Sequence, residues 1–135
     1  MTISDFLNLP NFSDLNLLAG ENGLDRELTN VTVVDTPDGT NWLNGGEFVI
    51  TTAYMLHEEK DLLEFLQVLH EKQAAGVGIK ENRYITTIPE AALKMADELN
   101  LPLISVPSIK LSFIHNPPFQ KHHLVVYTSF SVETK

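Results

Sequence analysis

The sequence predicts an α/β domain of three layers, in which a mostly parallel sheet is flanked by helices. Apolar runs at residues 48–51, 77–79 and 103–106 alternate with amphipathic segments near residues 60–75 and 89–99. This order of strand, helix, strand, helix and strand is typical of a parallel sheet joined by right-handed crossovers. The chain has 135 residues, of which 43% are hydrophobic, and this length suits a single core.

Composition argues against several function classes. The formal net charge of −9 argues against direct binding of nucleic acid, which requires clustered Lys and Arg. No apolar run in the sequence approaches the ~20 residues that span a bilayer, so we expect no membrane association. The sequence contains no cysteine and shows no secretory signal near Met1, and both features favour a cytoplasmic protein.

The elements outside the βαβαβ core are predicted to be short. Thr2 and Asp5 have the spacing of a capping box, which predicts a short helix at the start of the chain. Residues 15–19 and 28–34 are predicted strands, and a turn at Glu21-Asn22-Gly23 lies between them.

The two helices of the core have recognisable start and stop signals. The first is predicted over residues 60–75, because its apolar residues recur at 3.6-residue spacing: Leu62, Phe65, Leu66 and Leu69. Gly76 is placed to end this helix, and we expect His70 near that end to be solvated. The second helix is predicted to begin with a capping box formed by Thr87 and Glu90, and to run to about Leu99.

Residues 35–52 run from the end of one predicted strand, through a polar segment that contains the only tryptophan of the chain, into the next predicted strand. In open sheets of this kind, ligands bind beyond the carboxyl ends of the strands. Segments 35–36, 51–52, 80–81 and 105–107 would share that edge. We expect seven residues to bind a ligand: Asp35, Thr36, Asp38, Trp42, Glu47, Thr51 and Thr52. The alternative is an ordinary turn at residues 37–39, with Trp42 covering the core.

Catalytic and cofactor motifs are absent from the sequence. There is no phosphate-binding loop, and the glycines at 76 and 78 follow a predicted helix, which is the wrong context for a dinucleotide fingerprint. No metal-binding histidine motif occurs. Asp35, Asp38 and Glu47 could hold a hard cation or act as an acid–base pair, but no nucleophile or histidine accompanies them. We therefore expect neither an enzyme nor a bound cofactor.

Several short motifs in a fixed order carry a family resemblance. They are LLAG at 17–20, GLDRE at 23–27, DTPD at 35–38, WLNGGEFVITT at 42–52, AGVGI at 75–79 and ADELNLPLISVP at 96–107. Over about residues 1–114, this set resembles the amino-terminal domain of the PucR family of purine-catabolism regulators. The resemblance implies a sensory or regulatory domain of a bacterial transcription factor. It would bind a small polar metabolite, such as a purine-degradation intermediate, and signal to a DNA-binding module outside this chain.

Two function classes remain open from the sequence. One is the metabolite-binding sensor, and the other is an interaction or dimerisation module without a ligand of its own. A distant third is an enzyme-associated domain, because residues 45–49 also faintly resemble the amino-terminal domain of Mur ligases.

The carboxyl-terminal segment is expected to lie outside the family domain. We divide the chain into a regulatory domain at residues 1–112 and a divergent tail at residues 113–135. Residues 124–132 form an uncharged run of strand-forming residues without proline or glycine. Such a run must pair with its own sheet or with another chain, and Pro117-Pro118 favours an extended arm. We expect pairing between chains, which would give a homodimer.

Overall fold

The sheet observed in a computed structural model has six strands and is parallel except at one edge. The structure describes residues 1–12, 14–36, 38–52, 56, 58–80 and 88–107, together with the backbone of residues 125–128. Strands β1 to β6 are Asn16–Ala19, Asn30–Val33, Glu47–Thr51, Gly76–Lys80, Leu103–Val106 and Val125–Thr128. Their order across the sheet is β1-β5-β4-β3-β2-β6, and only β1 runs antiparallel, against β5.

Among the described residues, three α-helices accompany the sheet: α1 at Ile3–Leu7, α2 at Glu59–Glu71 and α3 at Glu90–Leu99. Short 3-10 helices occupy Pro10–Phe12, Glu21–Gly23 and Gly39–Trp42. The helices α2 and α3 follow β3 and β4, as the βαβαβ pattern requires. The predicted α/β class and the mostly parallel sheet are therefore confirmed.

Two apolar clusters lie on opposite faces of the sheet because side chains of a strand alternate between its faces. Val49 of β3 packs in the cluster that contains α2 and α3, whereas Phe48 and Ile50 pack in the cluster that contains α1. All three side chains are fully buried. The continuously apolar β3 is thus covered on both faces, and the sheet is the middle of three layers.

Close packing between strands depends on Gly78 in β4. A Cβ atom at this position would lie 2.7 Å from Cγ2 of Val106 and 2.8 Å from Cζ of Phe48. These distances are shorter than van der Waals contact, so the missing side chain makes room for the larger residues of β5 and β3.

The capping box predicted for α1 is confirmed. The Thr2 Oγ1 atom accepts the Asp5 N–H at 3.1 Å, and the Asp5 carboxylate accepts the Thr2 N–H at 3.0 Å. The hydrogen bond from the Thr2 N–H is the largest cause that lowers the pKa of Asp5 below its usual value, and the Thr2 hydroxyl group lowers it further.

The predicted helix ends were less accurate. Helix α2 ends at Glu71, and Gln73, with a φ of 62°, takes the left-handed conformation that we expected of a glycine. Gly76 instead begins β4. The residue preceding α3 is Pro89, which has no side-chain capping bond, and Thr87 of the predicted capping box lies outside the described residues.

Part of the tail joins the sheet of its own chain. Residues 125–128 pair in parallel with β2, with Asn30 opposite Val125 and Val33 opposite Thr128. This is the first of the two arrangements that the sequence allowed, and it does not test whether chains also associate. Pro117-Pro118 and the remainder of the tail lie outside the described residues. Among the helices that are described, none is long and apolar enough to cross a membrane.

Candidate functional site

Asp35 organises a polar cluster at the carboxyl edge of the sheet. The chain leaves β2 through Val34, whose N–H donates to the Ile50 carbonyl of β3 at 2.8 Å and so keeps Asp35 beside the end of β3. One oxygen of Asp35, Oδ1, then accepts three hydrogen bonds. They come from Thr51 Oγ1 at 3.2 Å, Thr52 N–H at 2.9 Å and Thr52 Oγ1 at 2.9 Å. The structure thus brings together three of the seven predicted site residues.

This cluster is built from the ends of two strands rather than from a flexible loop. Thr51 is fully buried, and Asp35 and Thr52 are half-buried. A carboxylate that accepts several hydrogen bonds fixes the rotamers of the hydroxyl groups that donate to it. Carboxylate and hydroxyl oxygens are acceptors for the N–H groups of amides and related molecules. The arrangement therefore offers a rigid, acceptor-rich surface, of the kind that orients a small polar ligand.

Glu47 lies at the opposite end of β3 and does not join this cluster. Its side chain is 4% exposed, and its two oxygens accept the N–H groups of Asn44 at 2.7 Å and Gly45 at 2.9 Å. Gly45 and Gly46 have φ angles of 109° and 86°, which favour glycine. The Glu47 carboxylate thus holds the turn that leads into β3, and our expectation that it shares one pocket with Thr51 and Thr52 is corrected.

The remaining predicted site residues lie in the connection from β2 to β3. Thr36 is half-buried and follows Asp35 directly, and its carbonyl accepts the Gly39 N–H at 3.0 Å. Asp38 is exposed and precedes the 3-10 helix Gly39–Trp42. Trp42 is 66% exposed, whereas the next residue, Leu43, packs in the core. The alternative in which Trp42 covers the core is therefore wrong.

Lys80 is a residue of this edge that the predicted site did not include. It is the last residue of β4 and is half-buried. Thr51 pairs with Ile79 across β3 and β4, so Thr52 and Lys80 are the next pair of that register. Lys80 could have been found from the sequence, because it directly follows a predicted apolar strand and lies in a segment already assigned to this edge.

A second polar cluster, around Arg26, lies where α2 and α3 end. The guanidinium donates to the carbonyl groups of Ala74 at 2.8 Å, Leu99 at 3.0 Å and Asn100 at 2.9 Å. Its Nη2 atom also lies 3.4 Å from Nδ1 of His70, which is half-buried and not simply solvated as expected. Burial lowers the pKa of Arg26. Arg26 thus joins the carbonyl groups at the end of α3 to the Ala74 carbonyl after α2 and to His70 in the last turn of α2, so its role is to hold α2 and α3 together.

The described residues contain no group of three or more His, Cys, Asp or Glu side chains placed to hold a metal ion. The Asp35 carboxylate accepts hydrogen bonds from Thr51 and Thr52. The Glu47 carboxylate accepts hydrogen bonds from the turn before β3.

Comparison with known proteins relates most of this chain to one family. A sequence model of the purine catabolism regulatory protein-like family matches residues 5–116. The chain is also 36% identical, over 118 residues, to the purine catabolism regulatory protein of Bacillus subtilis (strain 168). That alignment covers 86% of this chain and 22% of the relative, so the chain spans about a fifth of the relative's length.

Proposed function

Because this chain belongs to the purine catabolism regulatory protein-like family, we propose that it is the non-catalytic sensory domain of a transcription regulator. In this proposal the domain binds a small polar metabolite at the carboxyl edge of its sheet. The bound metabolite changes how the domain acts on a DNA-binding module in the regulator. The name of the Bacillus subtilis relative makes intermediates of purine degradation the first molecules to test.

The observation that carries this proposal is the Asp35 cluster. Its three hydrogen bonds preorganise two hydroxyl groups at the edge where open parallel sheets bind ligands. A rigid acceptor surface costs little ordering entropy when a ligand binds, and so favours affinity. The absence of catalytic motifs from the sequence agrees with a binding role.

A thermal-shift screen with purine-degradation intermediates tests the proposal directly. A ligand that binds only the folded domain stabilises it by about 2.7 kcal/mol at a hundredfold excess over Kd, which corresponds to several degrees in Tm. Trp42 provides a second readout, because it is the only tryptophan and is 66% exposed. Its fluorescence should change if the segment between β2 and β3 orders around a ligand.

The variant Asp35→Asn should abolish the ligand-dependent shift, because it replaces the second carboxylate oxygen with an NH2 donor and removes the charge that strengthens the hydrogen bonds to Oδ1. Asp97→Asn is the matched control. The Asp97 carboxylate accepts the Gly20 N–H at 2.7 Å, beyond the end of β1 that lies beside the start of β5, away from the Asp35 cluster. The control should keep the full shift. If no intermediate stabilises the domain, the alternative of an interaction module without a ligand is favoured.

A further inference from the structure

Asp35, Thr52 and Lys80 form one row across three neighbouring parallel strands. Val33 of β2 pairs with Ile50 of β3. Asp35 and Thr52 each lie two residues further along, so they are opposite each other. The 2.9 Å contact between Thr52 Oγ1 and Asp35 Oδ1 agrees with this register. The pairing of Thr51 with Ile79 places Lys80 level with Thr52 on the other side.

The strand alternation also places the row on one face of the sheet. Val33 packs in the cluster that contains α1, and Asp35 lies two positions later in the chain. Ile79 packs in the opposite cluster, so Lys80 points to the face of Val33. Neighbouring strands lie about 4.8 Å apart, so the Cα atoms of Asp35 and Lys80 are roughly 10 Å apart.

The charges of this row differ from those of the site expected from the sequence. That site contained three carboxylates, those of Asp35, Asp38 and Glu47, which would repel an anionic ligand. In the structure Glu47 belongs to the far end of β3, and the row contains one acid and one amine. No carboxylate among the described residues forms an ion pair with Lys80. Lys80 is a half-buried residue, and a cationic side chain in such a position favours an anionic partner.

We propose that Lys80 is a ligand-binding residue and that the domain binds a small carboxylate that also carries N–H donors. The carboxylate of the ligand pairs with the Lys80 ammonium, and its N–H groups donate to the oxygens of Asp35 and Thr52. A molecule of this class spans the row with a charge at one end and neutral donors at the other. This inference rests on the proposed function and specifies the ligand class of the same site.

A matched pair of small molecules tests the ligand class. N-carbamoylglycine carries a ureido group and a carboxylate, and N-carbamoylglycinamide carries the same ureido group and a neutral amide. Amide chemical shifts of the full chain, followed by NMR during titration with each compound, detect even millimolar binding. N-carbamoylglycine should shift the amides of Thr52 and Lys80, and the neutral amide should bind at least tenfold more weakly. Equal binding of the two compounds, or no binding of either, would overturn the proposal.

Variants of Lys80 test the residue itself. Lys80→Met keeps most of the length of the side chain without its charge and should weaken binding of N-carbamoylglycine about tenfold or more, as loss of a charge-assisted hydrogen bond does. Lys80→Arg should retain binding, and Lys60→Met, on the exposed first turn of α2, should have no effect. Unchanged binding by Lys80→Met would overturn the assignment. A neutral purine-degradation intermediate that stabilises the domain through Asp35 would leave the proposed function standing and this inference refuted.

Discussion

Arg26 shows how one side chain can add to the backbone caps of two helices and join their ends. The last carbonyl groups of a helix have no partner within the helix and require donors from elsewhere. Arg26 supplies three N–H groups to the carbonyls that follow α2 and end α3. The planar guanidinium presents these donors in a fixed fork, so the geometry is specific to arginine.

Replacing Arg26 should therefore destabilise the fold without touching the candidate ligand site. We expect Arg26→Ala to lower the free energy of unfolding by about 2–3 kcal/mol, because three acceptors lose a charged donor in a half-buried position. Arg26→Lys should recover only part of this loss. Urea denaturation measures the effect, and Lys60→Ala is the control because its ion pair with Glu58 is exposed and contributes little. An Arg26→Ala midpoint equal to that of Lys60→Ala would contradict this role.

Residue types predicted the candidate site only in part. Asp35, Thr51 and Thr52 could be found because polar residues directly follow buried strands. Glu47 was included although it precedes the predicted strand 48–51, and the structure places it at the start of β3, whereas Asp35 follows β2. Arg26 left no periodic signal, since its acceptors are backbone carbonyls 48 to 74 residues away.

At the scale of elements, β3, β4 and β5 are a packed unit in which one glycine accommodates two larger neighbours. The Cβ that Gly78 lacks would meet Val106 and Phe48, whereas a Cβ at Gly76 would approach no atom closer than 3.3 Å. The two glycines lie on the same face of β4, two residues apart. They therefore allow a comparison between a methyl group that would clash and one that would make a tight contact.

We expect Gly78→Ala to cost about 1–3 kcal/mol by overpacking and Gly76→Ala to cost less. Combining Gly78→Ala with Val106→Ala, which removes the nearer clashing atom, should cost less than the sum of the two single changes. A double-mutant cycle from thermal or urea unfolding gives this coupling. Strict additivity of the two changes would show that the clash is relieved elsewhere.

The predicted elements were correct in kind and order but less accurate at their ends. Apolar runs and amphipathic spacing identified the core strands and both long helices, because burial determines those patterns. The end of α2 was misplaced because Gln73 adopts a positive φ that residue type does not favour. Tertiary bonds hold that end, since the Gln73 carbonyl accepts the Gly46 N–H at 2.9 Å.

At the scale of the whole molecule, β6 adds a strand from outside the region that the family model matches. It covers the outer side of β2 and becomes the last strand of the sheet at that side. In the described part of the chain, no further strand pairs with it. An uncharged edge strand of this kind can pair with its copy around a two-fold axis.

The proposal that the chain forms a homodimer through its tail follows from this arrangement. Light scattering should give a dimer for the full chain and a monomer for a version that ends at Ser112. The two should be compared at equal concentration, with circular dichroism to confirm that the shorter version is folded. Two monomers would contradict assembly through the tail, and two dimers would place the interface elsewhere.

The position of β1 has a consequence for how the protein is made. β1 is an early strand, yet its hydrogen-bonded neighbour is β5, and the Gly20 N–H next to it binds Asp97, 77 residues further along the chain. At about 5–20 residues per second, a ribosome needs roughly 4–15 s to add that many residues. During this interval the amino-terminal segment has emerged without its partner strand. The nascent chain therefore carries an unpaired strand until β5 has been made, and chaperone binding would protect it most during that interval.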